Sequence, residues 1–338
     1  MNPIQRGSAF VDFTIAQRLP KIAADVGMAA LAREVVAGGP IELDGLARPT
    51  AWWSSYLDRL QGARWDELPF FDLEFVFYHS INSRAGFFTQ GTDVFARTRE
   101  AARVHGSIPT RDLASAVWLA LLGNEADYSQ LQVGGASPAW ESRLVVDERA
   151  RLLRVLESGV GTVHVLADNA GPELHADLGL VEALLARGDR VVIHVKPWPM
   201  FVSDALASDV LASVRGHAHL TRALDDGHFA IVSDPCWGEP RHFDALEAPL
   251  LAQLRDAKLV LAKGDLNYRR FVGDRAWPLD TPVDEATRGV GFEAFALRVL
   301  KSDALVGVSR EAASQRAQGW RTDGTHALVQ RISAGPSP

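Results

Sequence analysis

The 338-residue chain holds a single cysteine, Cys236, so it cannot close an intramolecular disulfide and cannot supply a Cys-rich zinc site. That scarcity fits a reducing compartment. Long apolar runs are also missing. The greasiest stretch, Leu113–Leu122, falls far short of the ~20 residues that span a bilayer. The first twenty residues contain no uninterrupted apolar core of a secretory signal. There is no basic surplus: 35 Lys and Arg stand against 42 Asp and Glu, a net charge of −7, which opposes a general nucleic-acid binder. No G-x-x-x-x-G-K-[ST] loop occurs, which excludes a P-loop nucleotide site. The expectation is a cytoplasmic globular protein with no membrane span and no nucleic-acid partner. Its oligomeric state is not legible.

What is present is ample apolar material, 47% of residues, in a length that suggests about two domains. The first part reads as helical. Apolar residues recur at helical spacing over 22–36 and 52–60, over 70–83 with a stop near Gly86, and over 111–122 behind Pro109 and Thr110. After about residue 155 the texture changes to short β-rich runs separated by helical stretches. The runs are 162–167, 190–195, 229–232, 258–262 and 304–308. Alternation of this kind predicts β-α units and a mainly parallel sheet. The predicted organisation is a helical N-terminal domain over 1–155, an α/β domain over 156–332 in a three-layer α/β/α arrangement, and a tail over 333–338.

In open α/β sheets ligands gather beyond the carboxyl ends of the strands. The residues just after the β runs are therefore the informative ones: Asp168 and Asn169; Lys196 and Asp204; Asp234; Lys263, Asp265, Asn267 and Arg269; Arg298 and Lys301. Asp168, Asn169 and Asp204 are hard oxygen donors and suit Mg²⁺ or Mn²⁺. Lys263, Arg269 and Lys301 suit a phosphate beside that ion. Asp168 and Asp204 are separated by about one β-α-β unit, so both can reach one ion from neighbouring strands. Each residue also has a plain structural reading. Asp168-Asn169 and Asp204 read as helix caps, and Lys301 as a solvated lysine. His164 and His194 read as core or edge residues, and Cys236 has no supporting context as a nucleophile.

The motifs in their order resemble a known family. They are Leu68-Pro-Phe-Phe with the aromatic helix that follows, Gly123-Asn124-Glu125-Ala126-Asp127, Asp168-Asn169-Ala170-Gly171-Pro172-Glu173, the segment from Lys196 to Asp204, Lys263-Gly-Asp-Leu-Asn-Tyr-Arg269, and Arg298-Val-Leu-Lys301. Together they resemble the damage-control metal-dependent phosphatases of domain-of-unknown-function 89, in the branch similar to acidic-residue methyltransferase 1 that includes sugar-phosphate phosphatases. The resemblance implies that Asp168, Asn169 and Asp204 hold the metal. It implies that Glu173, Asp265, Leu266, Asn267, Tyr268 and Arg269 line the substrate site and that Lys301 binds the phosphate. It implies hydrolysis of small phosphate monoesters, sugar phosphates such as fructose 1-phosphate or damaged phosphometabolites, with a small phosphorylated metabolite as the partner molecule. Mn²⁺ is the expected ion, with Mg²⁺, Co²⁺ or Ni²⁺ tolerated by an oxygen-rich site. Two alternatives are a protein-carboxyl methyltransferase using S-adenosylmethionine and a non-catalytic sugar-phosphate binder. One glycine in the turn after the first run, and Lys196 where that cofactor's acidic partner is expected, count against the methyltransferase.

Overall fold

The computed structural model describes residues 1–108, 112–123 and 141–333. The motif after Gly123 and the helix-start residues Pro109 and Thr110 lie outside them. Among the described residues one seven-stranded sheet forms the centre. Its strands are β1 Leu144–Asp147, β2 Thr162–Leu166, β3 Arg190–His194, β4 Phe229–Val232, β5 Leu259–Lys263, β6 Ala294–Val299 and β7 Ala327–Ser333. The spatial order is β1-β7-β6-β5-β2-β3-β4. All neighbours are parallel except β6 and β7, which run antiparallel.

The interior strands are apolar on both faces, as a sheet covered on both sides requires. Along β5, Leu259 and Leu261 belong to one buried cluster, while Val260 and Ala262 belong to the other. The first cluster packs under the helices Leu113–Leu122, Pro172–Ala186 and Ala207–Val214. The second joins the sheet to the N-terminal helices through Val11, Trp53, Phe71 and Phe75. The result is an α/β/α fold whose N-terminal helical region forms most of one outer layer.

Several sequence expectations need correction. The helix predicted over 22–36 is two helices, Leu19–Asp25 and Ala29–Ala37, parted at Gly27, whose φ of 76° no other residue adopts cheaply. Leu144–Asp147 brings a strand into the supposedly helical first 155 residues. The β run at 304–308 is no strand; the strands there are β6 and β7. Ala304, Leu305, Val306 and Val308 are buried, and in place of a ladder the segment's backbone groups are answered by side chains and by the loop carbonyls of Thr281 and Leu279. Arg298 Nη1 donates to the Ala304 carbonyl at 2.6 Å, the Val306 N–H donates to Tyr268 Oη at 3.1 Å, and Gln330 Nε2 donates to the Val306 carbonyl at 3.0 Å. No helix among the described residues is long and apolar enough to cross a membrane.

Candidate functional site

The chain leaves β2 toward β3 on one side, whereas β5 leads to β6 on the other. The carboxyl ends of β2 and β5 therefore part at a topological switch point, where α/β sheets form a crevice. Register fixes the level of the site. Leu166 pairs with both His194 and Ala262, so Asp168, Lys196 and Gly264 each stand two residues beyond one shared rung. The cleft there is lined by Asp168, Asn169, Ser203, Asp204, Asp265, Leu266, Arg269 and Lys301, together with Phe10, Arg18 and Phe201, and has room for about 210 Å³.

The cap readings of the acids fail. The helix Pro172–Ala186 starts from Gly171 with no side-chain cap, and Ala207–Val214 starts from Leu206. Asp204 is instead carried back against the β2 end. The Ala205 N–H donates to the Asp168 carbonyl at 2.8 Å, the Ala170 N–H to the Ser203 carbonyl at 2.7 Å, and Asn169 and Asp204 form an isolated antiparallel bridge. The reversal runs through Phe201 at φ 49° and Val202 at φ 70°. Left-handed backbone is rare for a β-branched residue and costs on the order of 1–3 kcal/mol. The cleft side of Gly264 is equally tight. A Cβ there would lie 2.0 Å from Asp168 Oδ2, and its φ is 77°. Backbone and carboxylate approach so closely that only glycine fits.

Asn169 ties the acids together. Its Nδ2 donates to Asp168 Oδ2 at 3.0 Å and to Glu173 Oε2 at 2.9 Å, while its Oδ1 accepts from the Ser203 hydroxyl at 2.6 Å. Burial first, then the charges of Glu173 and Asp204, push the Asp168 carboxyl well above the usual carboxylate range. Burial likewise lifts Asp204 to about 6, against the pull of Lys196. The Lys196 ammonium lies 3.2 Å from Asp204 Oδ2, yet it is not aligned as a hydrogen bond, and that oxygen is left without a hydrogen-bond partner. Crowded buried carboxylates with an orphaned oxygen are short of positive charge, and two carboxylates with one carboxamide are hard donors. Asp168, Asp204 and Asn169 therefore fit a divalent cation. Among the described residues no three His, Cys, Asp or Glu side chains gather as a metal site, so Asn169 is needed to complete the donor set.

The predicted cations separate into two groups. Lys263, 1% exposed, donates to Asp177 Oδ1 at 2.7 Å and to Glu173 Oε1 at 3.1 Å, beneath the cleft. Burial alone would lower its pKa, but the two carboxylates hold it raised. Burial lifts Asp177, even beside this ammonium, to about 7. Arg269 reaches the cleft wall but grips Asp274 through Nε at 2.7 Å and Nη2 at 3.0 Å, and Glu74 through Nη1 at 2.6 Å. Arg298 is fully buried against Asp265, with Nε to Oδ1 at 2.8 Å. Lys301 is exposed and, among the described residues, its Nζ has no ion-pair partner; only its N–H contacts Asp265, at 3.3 Å.

The remaining predicted lining residues split as well. Asp265 and Leu266 face the cleft. Asn267 does not: its Nδ2 is buried, donating to the carbonyls of Leu166, Ala167 and Lys263 and so bracing the β2 end. Tyr268 points away, its hydroxyl donating to Gln330 Oε1 at 3.0 Å. Sequence reading missed Phe10, Arg18, Phe201 and Ser203. The last two belong to the segment already suspected; the first two come from a helix far away in the chain, with no local signal.

Residues 72–316 match the family model described as the damage-control phosphatase ARMT1-like domain. A protein named Damage-control phosphatase ARMT1 from Danio rerio is 28% identical over 253 residues, covering 63% of this chain and 56% of its own length. Its namesake from Xenopus laevis is 29% identical over 258 residues, covering 65% and 59%. The chain thus spans little more than half the length of these relatives. A solved DUF89 family protein from Pyrococcus horikoshii superposes with a TM-score of 0.49 at 16% identity, covering 98% of this chain and all of that one.

Proposed function

We propose, from the premise that the chain belongs to the damage-control phosphatase ARMT1-like domain family, that it is a divalent-metal-dependent phosphatase acting on small phosphate monoesters. Sugar phosphates, fructose 1-phosphate among them, and damaged phosphometabolites are the substrates to try first. The observation that carries this reading is the pairing of half-buried Asp168 and buried Asp204, both short of positive charge, with exposed Lys301 across one cleft at the sheet's switch point.

A bound Mn²⁺ or similar ion would polarise phosphoryl oxygens and favour a water nucleophile. Asp168, Asp204 and the Asn169 carboxamide would hold it. Ser203 and Glu173 fix the Asn169 side chain from both ends. Lys263 holds Glu173 in place from below and does not touch substrate. Lys301 supplies positive charge to the phosphoryl group as it transfers, where preorganised charge acts most strongly. Asp265, held by Arg298 and Ser302, faces the open side and can accept hydrogen bonds from a leaving group's hydroxyls.

The test is phosphate release from a panel of phosphate esters by protein stripped of metal and then given Mn²⁺, Mg²⁺, Co²⁺ or Ni²⁺. Metal-dependent release that Asp204→Ala abolishes, with the far-ultraviolet spectrum unchanged, supports the reading. Absence of release with every ion and ester overturns it.

A further inference from the structure

The anion in this cleft needs more positive charge than Lys301 alone offers. Lys196, Lys263, Arg269 and Arg298, the other cations near the carboxylates, are held by Asp204, by Asp177 and Glu173, by Asp274 and Glu74, and by Asp265. One cation lining the same cleft keeps its charge: Arg18, which is exposed and, among the described residues, has no ion pair. It lies outside the matched span of 72–316.

The local sequence explains how Arg18 arrives there. Residues Ala9–Phe13 are α-helical, Thr14–Arg18 widen into a π-turn, and Leu19–Asp25 resume the α-helix. Pro20 stands in the first turn of that last segment. Having no N–H, it cannot continue the ladder to the carbonyl four residues back, and its ring would clash there. The helix takes up this break by widening: the Leu19 N–H reaches the Thr14 carbonyl, five residues back. The widened turn places Phe10 and Arg18 on the cleft. A recess of about 500 Å³ continues from it, sharing Phe10, Arg18 and Lys301, and adding Phe13, Thr14 and Thr322. Phe13, on the recess wall, is 62% exposed and offers an apolar ring face.

We propose that Arg18 is a substrate-binding residue, set by the π-turn to grip phosphate oxygens together with Lys301, and that the recess beyond it takes the leaving group against Phe13. The favoured substrate is then a phosphate monoester whose leaving group presents an apolar ring face rather than a short polyol. The inference rests on the phosphatase reading for the identity of its anion.

The experiment is calorimetric titration of inorganic phosphate into the Mn²⁺-loaded full chain. Arg18→Gln is expected to weaken phosphate about tenfold, the scale of one charged hydrogen bond, with the melting temperature unchanged. Arg18→Lys is expected to recover part of the loss, since an ammonium keeps the charge but not the planar fork. Unchanged phosphate affinity in folded Arg18→Gln overturns the proposal. Phe13→Ala is expected to raise KM about fivefold for 4-nitrophenyl phosphate and to leave it unmoved for glycerol phosphate. Equal changes for both esters overturn the leaving-group assignment. The two readings fail separately. Arg18-dependent phosphate binding in a protein that hydrolyses no ester supports the anion grip and removes the phosphatase. Turnover that needs Lys301 but keeps its KM in Arg18→Gln does the reverse.

Discussion

Lys263 and Lys301 leave the ends of neighbouring strands, and they belong to two different worlds. Lys263 is the last residue of β5, with the same parity as Leu259 and Leu261, so it points down into the layer under the helix Pro172–Ala186. There Glu173 and Asp177, one helical turn apart, receive it. Lys301 stands past the end of β6, where alternation no longer governs it, and it stays in solvent at the cleft mouth. The floor of the cleft is therefore a sealed network of mutually neutralised charges, while its wall carries charge left open. Rigidity belongs to the first and recognition to the second, and a residue's place relative to the strand end decides which it serves.

This contrast is sharpened most by Lys263→Met. It strands two buried carboxylates, so unfolding free energy should fall by about 3–5 kcal/mol in urea titrations, and the metal site should loosen with it. A loss below about 1 kcal/mol would mean that the floor is not sealed. Next is acid. His164 and His194 lie in the dry layer on the other face of the sheet, Nδ1 of the first 2.7 Å from Nε2 of the second. Burial depresses their pKa values to about 4 and about 3. In the unfolded chain both titrate near 6.5, so between those values the unfolded state binds more protons. Their neutral burial stabilises fully above about pH 6.5, and that contribution drains away as pH falls toward 4. The urea midpoint should drop accordingly, and His164→Phe should blunt the drop. The smallest effect is Lys301→Ala: KM for a phosphate ester should rise about tenfold, with the urea midpoint within error of the parent. Destabilisation by this change would erase the distinction between wall and floor.

Much of this was legible in the chain. Asp168 and Asn169 stand where a strand gives way to a turn, and four of the five β runs are strands at nearly the expected bounds. The 304–308 run failed because an apolar buried loop answered by Arg298, Tyr268 and Gln330 has the composition of a strand. In the sequence Lys263 has the look of a phosphate ligand because its partners Glu173 and Asp177 lie 90 and 86 residues away. Strand parity, with the acids spaced at Glu173 and Asp177, was the available signal. Arg18 had none, since only tertiary packing brings the N-terminal helix over the sheet ends.

The strand order also has a consequence in time. β7 lies between β6 and β1, and among the described residues β1 pairs with β7 alone. During synthesis β1 emerges early and must wait, unpaired, until almost the whole α/β half has followed it. Assembly of the sheet thus closes on a late, long-range event, the kind that folds slowly and exposes an edge meanwhile. A nascent chain halted before Ala327 would leave exposed the side of β6 and the side of β1 that β7 covers in the finished protein.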